Sequence, residues 1–124
     1  KSLGPDHPDL VTWLEHLAEI LLSEGKFYQA KPFYERVIAM KEKSLGPDHP
    51  DLVTWLESLA DVLLREGNND GAKPIYERII AMKVKSLGPD HPDLVTWLEH
   101  LAEILLSEGK FYQAKPFYER VIAM

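Results

Sequence analysis

The sequence predicts an all-α fold in which three antiparallel helix-turn-helix repeats stack into an α-solenoid. First, the motif LGPDHPDLVTWLE occurs at residues 3–15, 45–57 and 87–99, each time 42 residues further along the chain. Second, apolar residues follow helical spacing within each repeat, and the connection between its two helices is very short. A fixed period of this length is typical of repeat architectures, in which each unit buries its apolar faces against its neighbours.

The period divides the chain into a single repeat array, residues 1–124, with units at 1–42, 43–84 and 85–124. The third unit is truncated in its last helix. One such unit alone buries too little surface to be stable, so we expect the units to share one continuous core. Because the chain begins inside the motif and stops where the first two repeats continue with lysine, we also expect it to be a piece of a longer array.

The composition excludes several classes of protein. A hydrophobic content of 45% is too high for a disordered chain. A net charge of −6 argues against nucleic-acid binding, which needs basic residues that face phosphates. The absence of cysteine excludes disulfides, thiolate zinc sites and cysteine nucleophiles. No apolar run is long enough for a membrane span or a signal peptide, so we expect no membrane partner and take a cytoplasmic location as the default.

Each repeat opens with a signal that ends one helix and starts the next. Gly4 can adopt the left-handed conformation that ends a helix, Pro5 prevents the helix from continuing, and Pro8 suits the first turn of the next helix. Two residues compete for the N-cap. Geometry favours His7, because a residue before proline avoids the helical region, whereas side-chain chemistry favours Asp6.

The first helix of the repeat, helix A, is predicted from about Pro8 to Glu24, with Gly25 as its C-cap. Its apolar stripe covers more than one face, which suits a helix packed against both its own partner and a neighbouring repeat. The stripe comprises Leu10, Val11, Trp13, Leu14, Leu17, Ala18, Ile20 and Leu21.

The second helix, helix B, is predicted from Phe27 to about Leu45, where Gly46 and Pro47 stop it. The short connection makes helices A and B antiparallel neighbours. Pro32, which recurs in every repeat, lies about one turn into helix B and removes a backbone hydrogen bond. We therefore expect a tightened or bent first turn of this helix.

The middle repeat differs from the other two in one marked place. Residues 1–40 and 85–124 are identical, whereas the middle repeat differs from the first at 11 of 42 positions. Most changes are mild, but Lys26-Phe27-Tyr28-Gln29 becomes Asn68-Asn69-Asp70-Gly71. Because Asn, Asp and Gly favour turns over helix starts, helix B of the second repeat is predicted to start later, or to fray more, than its neighbours.

The spacing of leucine, alanine, glycine and aromatic residues in this unit resembles that of the tetratricopeptide repeat. The matching residues of the first unit are Leu14, Leu17, Ala18, Leu21, Gly25, Phe27, Ala30 and Tyr34. With 42 residues instead of the usual ~34, the unit looks like the longer subclass typified by kinesin light chain and nephrocystin-type repeats. The resemblance implies a right-handed superhelix with helices A on its concave side and helices B on its convex side.

The resemblance also implies a concave face that binds a protein or an extended peptide. Carried over by position, this partner-binding set has six residues on helix A of each repeat. They are Thr12, Glu15, His16, Glu19, Leu22 and Ser23 in the first repeat, Thr54, Glu57, Ser58, Asp61, Leu64 and Arg65 in the second, and Thr96, Glu99, His100, Glu103, Leu106 and Ser107 in the third.

Two carboxylates in each of these sets lie four residues apart, and hence on one face of helix A. Stacked repeats would align all of them in one acidic strip, which suggests a groove for a basic peptide whose attraction weakens as salt rises. Charge runs are more often a solvated face that keeps a chain soluble, and that interpretation stays open here. A paired-carboxylate hydrolase would need a deep pocket that separates two pKa values, and an open groove does not provide one.

The histidines and tryptophans of the motif invite other interpretations. Neighbouring repeats lie about 8–10 Å apart, too far for successive DHPD histidines to share a metal ion that binds its ligands at about 2 Å, so no metal site is predicted. Trp13, Trp55 and Trp97 could form a stacking ladder for bases or sugars. Their place in the apolar stripe, together with the negative net charge, favours core packing between repeats.

The sequence leaves two functions in competition. It contains no nucleophile–base–acid set, phosphate loop or zinc signature, so neither an enzyme nor a cofactor is expected. The chain is either a non-catalytic scaffold that binds a protein or a basic peptide, or a structural, consensus-like array without a specific ligand. Because the first and last repeats lack a polar capping helix, we also expect head-to-tail self-association into open chains.

Overall fold

The computed structural model describes residues 8–124, and within that range every regular element is helical. The helices are α1 (Pro8–Ser23), α2 (Phe27–Leu45), α3 (Leu52–Arg65), α4 (Asn69–Leu87), α5 (Val95–Ser107) and α6 (Phe111–Ala123), with a 3₁₀ turn at Pro92–Leu94 before α5. The all-α prediction is therefore confirmed. The division into three repeats and the right-handed superhelix stay predictions, and the chain divides into two compact units, Lys1–Asn68 and Asn69–Met124.

In the first unit, α2 packs against both α1 and α3. Its buried face has the i, i+4, i+7, i+8 spacing of a helix that contacts its neighbours along one broad side. This face comprises Ala30, Tyr34, Val37 and Ile38. From α1 the core receives Leu14, Ala18 and Leu21. The central helix of this unit is thus a helix B, held between two helices A.

In the second unit, α5 packs against both α4 and α6, and the 3₁₀ turn packs against α4 and α5. One core cluster joins Ile80, Leu94, Leu98 and Leu101, and a second joins Ala102, Leu105 and Ala114. Phe117 of α6 packs against both clusters. The central helix of this unit is a helix A, held between two helices B.

The turn between α1 and α2 depends on the backbone conformation of Gly25, which has φ +76°. The N–H of Gly25 donates to the Leu22 carbonyl (3.0 Å), and the N–H of Lys26 donates to the Leu21 carbonyl (2.8 Å). These two bonds form a Schellman motif, which favours glycine because other residues are strained at positive φ. The predicted glycine C-cap is therefore confirmed, and the tight turn makes α1 and α2 antiparallel.

In the second and third repeats a histidine accepts a backbone hydrogen bond in the turn that precedes helix A. The backbone N–H two residues after His49 donates to its imidazole Nδ1, and the same bond forms after His91, at 3.1 Å in both cases. His91 has an extended backbone, as expected for a residue before proline. His91 is thus the N-cap of the 3₁₀ turn, whereas the N-cap residues of α3 and α5 themselves, Asp51 and Leu94, form no side-chain cap bond. The corresponding candidates of the first repeat, Asp6 and His7, lie outside the described residues.

The start of α4 shows that the predicted late start was wrong, whereas the alternative of greater fraying stays a prediction. Helix B of the second repeat does not begin late: α4 starts at Asn69, the position of Phe27 in α2, and both helices have 19 residues. Asp70 places a negative charge at the positive end of the helix, which stabilises the first turn. Its carboxylate also lies 3.4 Å from the Lys73 ammonium one turn later. These interactions outweigh the turn propensity of the sequence.

Proline lies inside helix B in every repeat. Pro32, Pro74 and Pro116 are internal to α2, α4 and α6, and each helix continues beyond its proline. The bend that we expect at the first turn of helix B stays a prediction.

Replacing His91 by alanine is expected to destabilise the chain by about 0.5–2 kcal/mol, the usual cost of losing an N-cap acceptor. Asparagine has a side-chain oxygen that accepts the same bond, so His91→Asn should recover most of that loss. The free energy of unfolding from urea denaturation checks both variants. If His91→Ala is as stable as the original chain, the imidazole has no capping role.

Candidate functional site

The predicted partner-binding residues lie on α1, α3 and α5, and most of them are exposed. In the first unit Thr12, His16, Glu19, Ser23, Thr54, Glu57, Asp61 and Arg65 are exposed, and Glu15, Leu22, Ser58 and Leu64 are half-buried. In the second unit Thr96, Glu99, His100, Glu103, Leu106 and Ser107 are exposed. A partner can therefore reach most of this set in either unit.

The predicted serines are hydrogen-bonded within their own helices. The hydroxyls of Ser23 and Ser107 donate to the carbonyls three residues before them, at 2.8 Å and 2.7 Å. The Ser58 hydroxyl donates to the Thr54 carbonyl at 3.1 Å. Such local bonds already satisfy the hydroxyl donor. The carboxylates of the set are therefore the stronger candidates for recognition.

In the first unit three of the predicted carboxylates act through their charge on one tyrosine. Tyr34 of α2 is only 5% exposed. Burial raises the pKa of Tyr34 above its ordinary value, and the charges of Glu19, Glu15 and Asp61 raise it further. Glu15 and Glu19 belong to α1 and Asp61 belongs to α3, so charges from two helices act on this one phenol. Helices α1 and α3 thus direct negative charge at the same part of α2.

Glu15 is fixed by a residue of the next repeat. The indole N–H of Trp55 on α3 donates a hydrogen bond to Glu15 Oε1. The Lys41 ammonium of α2 lies 5.4 Å from the centroid of the same indole ring. Hydrogen bonds to carboxylates are stronger than those between neutral groups, and a cation over an indole face is attracted to it. Trp55 therefore links all three helices of the first unit.

Arg65 is the basic residue among the predicted positions. Its Nε lies 3.1 Å from Asp61 Oδ2, one turn earlier on α3. Its guanidinium carbon lies 5.5 Å from the centroid of the Phe27 ring on α2. Arg65 therefore neutralises one of the three carboxylates near Tyr34 and holds that carboxylate in place.

The second unit has a related arrangement around α5. The His100 ring stacks on the Tyr76 ring of α4, with centroids 5.4 Å apart and an interplanar angle of 25°. The Lys83 ammonium lies 5.2 Å from the Trp97 ring centroid. The contact between lysine and tryptophan is thus common to both units, whereas the stacking of His100 on Tyr76 is found in the second unit.

The tryptophans are less buried than predicted. Trp13 is 51% exposed, and Trp55 and Trp97 are half-buried. The predicted position between repeats is confirmed for Trp55 and Trp97, which contact residues of the preceding repeat. They lie at the rim of the core because an indole has both an apolar ring and an N–H donor that needs a polar partner.

Sequence reasoning missed Tyr34, Trp55 and Phe27 as parts of the candidate site. A buried tyrosine inside helix B was one available signal, because its hydroxyl needs polar surroundings. The comparison of the repeats offered a second signal. Arg65 comes after a repeat that has Phe27, whereas its counterpart Ser107 comes after a repeat that has Asn69 at that position. A cation that accompanies an aromatic residue of the preceding repeat indicates a contact between the two.

A separate cavity of about 360 Å³ lies in the second unit, between α4, α5 and α6. Leu101, Leu105 and Phe117 form its apolar wall. Lys73 also lines it, and the ammonium donates to Glu108 Oε1 at 2.7 Å, a bond that raises the pKa of Lys73 above its ordinary value. None of the predicted partner-binding residues lines this cavity.

Two further properties bear on the class of site. Among residues 8–124, no three histidine or carboxylate side chains come together in a way that could hold a metal ion. No helix in the same part of the chain combines the length and the apolar character needed to cross a membrane.

Helix pairs joined by tight glycine turns, with polar residues displayed along the helices A, define a helical-repeat protein. The tetratricopeptide repeat model matches residues 9–83 and 54–124. The chain therefore belongs to the tetratricopeptide repeat family, whose members generally mediate protein interaction or scaffolding and are generally non-enzymatic.

Solved structures show the same fold. The chain is similar to the nearly identical TPR-like repeats assigned to kinesin light chain in Podosopora anserina, with 26% identity, a TM-score of 0.78, and coverage of 99% of this chain and 58% of that one. BtubC (BKLC) from P. vanneervenii is 19% identical, with a TM-score of 0.78 and coverage of 96% and 48%. The TPR domain of Arabidopsis FLU is 14% identical, with a TM-score of 0.72 and coverage of 93% of each chain.

The present chain spans about half the length of the first two of these structures. The likeness to BtubC and to FLU shows the fold alone. No curated protein matches the chain.

The placement of the carboxylates predicts how Tyr34 titrates. Glu19→Gln removes a negative charge near the phenol and should lower the pKa of Tyr34 towards its ordinary value. Glu24→Gln removes the same charge from beyond the end of α1 and serves as the matched control. An NMR titration of the tyrosine ring resonances checks both variants, and an unchanged Tyr34 in Glu19→Gln would contradict the proximity of the two groups.

The raised pKa of Tyr34 also predicts a pH dependence of stability. The folded state favours the neutral phenol, so this contribution to stability is complete below the ordinary tyrosine pKa of about 10 and is lost as pH rises through the raised value. Tyr34→Phe has no phenol to ionise. Between neutral and strongly alkaline pH it should therefore lose less of its free energy of unfolding than the original chain does.

Proposed function

We propose that the chain is a non-catalytic scaffold that binds a protein or an extended peptide of basic character through the exposed faces of α1, α3 and α5. One observation carries the proposal: carboxylates from two different helices A, Glu15 and Glu19 of α1 and Asp61 of α3, all raise the pKa of the same tyrosine of α2. Charges gathered from separate helices form a recognition surface more readily than charges scattered along one helix.

A basic partner complements this surface in its chemistry. Lysine and arginine side chains satisfy carboxylates with charge-assisted hydrogen bonds. In the second unit, α5 also exposes Glu99 and Glu103, four residues apart on one helix face. The net charge of −6 favours the approach of a cationic segment from a distance. This attraction weakens as salt screens the exposed charges.

A synthetic peptide that alternates lysine and glycine tests the proposal. Replacing Glu19 and Asp61 together by lysine should weaken peptide binding about tenfold or more at low ionic strength, because two attractive charges become repulsive. The matched control replaces Glu35 and Glu119, exposed carboxylates of α2 and α6, by lysine, so the two variants have the same net charge. Fluorescence anisotropy of the labelled peptide measures the dissociation constants.

The two variants separate a local surface from a general charge effect. Equal loss of affinity in both means that net charge alone attracts the peptide, and the proposed surface is then wrong. Absence of any binding by the original chain at low ionic strength overturns the proposed function itself.

A second candidate function, a spacer array that associates head to tail, is favoured by two exposed helix faces. On α1, Trp13, Leu17 and Ile20 are 51%, 42% and 55% exposed. The counterparts of Leu17 and Ile20 in α3 and α5 are at most 8% exposed, and those helices pack against α2 and α4. On α6, Ile122 is 84% exposed, whereas its counterparts Ile38 and Ile80 are 6% and 9% exposed.

These two faces complement each other because the repeats share their sequence. The sequence of α6 is the same as the first part of α2. The sequence of α1 recurs in the third repeat, where α5 packs against α4. We therefore propose that α6 of one copy packs against α1 of the next. Such a contact joins unlike surfaces and extends into open chains.

Two surface variants test the association. Leu17→Asp blocks the α1 face and Ile122→Asp blocks the α6 face, and each variant alone should stay monomeric where the original chain forms larger species. A mixture of the two should form a dimer and nothing larger, because one intact face of each kind remains. Sedimentation velocity over a range of concentrations measures this. An original chain that stays monomeric, or a mixture that does so, would exclude head-to-tail association.

A further inference from the structure

The joint between the second and third repeats, where α5 packs on α4, contains an ion pair that is mostly shielded from solvent. The Lys73 ammonium of α4 donates to Glu108 Oε1 at 2.7 Å, and the two side chains are 17% and 19% exposed. Lys110, which belongs to the same repeat as Glu108, lies 3.7 Å from that oxygen. The stacking of His100 on Tyr76 crosses the same joint. Two specific contacts therefore accompany the apolar packing of these helices.

The first repeat presents the helix A side of this joint to solvent. Glu24 is the counterpart of Glu108, and the Lys26 ammonium lies 3.7 Å from its Oε1. No lysine of another helix within residues 8–124 reaches Glu24, and its side chain is 49% exposed. His16, the counterpart of His100, is also exposed. The α1 side therefore has both groups that the joint needs from helix A.

The third repeat presents the helix B side of the joint. Lys115 of α6 is the counterpart of Lys73, is exposed, and forms no ion pair within residues 8–124. Tyr118 is the counterpart of Tyr76 and is more exposed than that tyrosine, being half-buried where Tyr76 is buried. The α6 side therefore has both groups that the joint needs from helix B.

We infer that Lys115 of one copy forms an ion pair with Glu24 of the next, and that Tyr118 stacks on His16 of that next copy. The contact between copies then has the register of the joint between α4 and α5. The inference rests on the proposed head-to-tail association and adds the polar contacts that determine how the two faces align. Apolar side chains alone permit several alignments, whereas an ion pair and a stacked ring pair favour one.

The joint between the first and second repeats lacks this ion pair. Lys31 and Glu66 hold the equivalent positions, yet no hydrogen bond joins them, and Glu66 Oε1 is buried without a hydrogen-bond partner. The middle repeat has Asn68 where the other two have a lysine, and Ser58 where they have a histidine. A joint between copies uses helix A of the first repeat, which has both the lysine and the histidine. Its helix A side therefore matches the joint in which the ion pair forms.

The helix B side of the inferred joint differs at one position. Tyr112 stands where the middle repeat has Asp70, whose carboxylate lies 3.4 Å from the Lys73 ammonium. Lys115 therefore lacks this second carboxylate, and we expect its bond with Glu24 to be weaker than the bond between Lys73 and Glu108. The pair should still influence alignment, because apolar packing on both sides shields it from solvent.

Mixing the two blocked variants gives a single joint to measure. The Leu17→Asp protein keeps its α6 face and the Ile122→Asp protein keeps its α1 face, so their mixture forms one kind of dimer. Lys115→Glu is introduced into the first protein and Glu24→Lys into the second. Each change alone should raise the dissociation constant of the dimer about tenfold, because attraction becomes repulsion. Both together should restore most of the affinity, because the ion pair forms again with its charges exchanged.

Matched controls separate the ion pair from net charge. Arg36→Glu in the first protein and Glu35→Lys in the second change the charge by the same amounts at exposed positions of α2, and should leave the dissociation constant nearly unchanged. His16→Ser, made in the second protein, introduces the residue of the middle repeat and should weaken the dimer several-fold. Unchanged affinity in that variant would remove the ring contact from the inference. Sedimentation velocity at low ionic strength measures every mixture.

The outcomes distinguish the alignment from the association itself. If the mixture without charge changes does not form a dimer, both the head-to-tail association and the inferred alignment are overturned. If it forms a dimer, and the mixture with both charges exchanged binds no better than either mixture with one exchange, the pairing of Lys115 with Glu24 is overturned and the association stands.

Discussion

The packing of helix A against helix B of the preceding repeat is the interaction on which the rest of the structure depends. In the first unit it joins α3 to α2, and in the second unit it joins α5 to α4. The side chains that form it are apolar and closely similar in the two units, as Leu59 and Leu101 show. A single repeat has no such neighbour, so in each unit this contact adds a third helix to a helical hairpin.

The polar features of the chain lie at the rim of this same contact. Trp55 and Trp97 each have a lysine of the preceding helix B over the ring, so an aromatic residue marks the border between core and solvent in both units. In the first unit, carboxylates of both α1 and α3 also raise the pKa of Tyr34. The candidate site is therefore a consequence of repeat packing, because no single helix could assemble it.

The repeat architecture could be predicted from the sequence to a much greater extent than the candidate site could. The limits of α1 and α2 and the glycine turn after α1 follow from local rules of spacing, capping and backbone conformation. The late start predicted for α4 was wrong because propensity was weighed without the charge of Asp70 at the helix end. The surroundings of Tyr34 could not be predicted from one repeat, because Asp61 comes from the next repeat, far along the chain.

Near-identity of repeats limits what each repeat can recognise. If every repeat were the same, each helix A would present the same exposed side chains, and a partner of the proposed kind would bind in several registers with equal affinity. The middle repeat breaks this degeneracy with few substitutions, since Ser58, Asp61 and Arg65 stand where the first repeat has His16, Glu19 and Ser23. Asp61 supplies one of the carboxylates that raise the pKa of Tyr34, and Arg65 forms an ion pair with it. The apolar residues that pack between repeats stay nearly the same, whereas the exposed residues at the rim differ. The core can therefore be kept while the charge at one position of helix A changes.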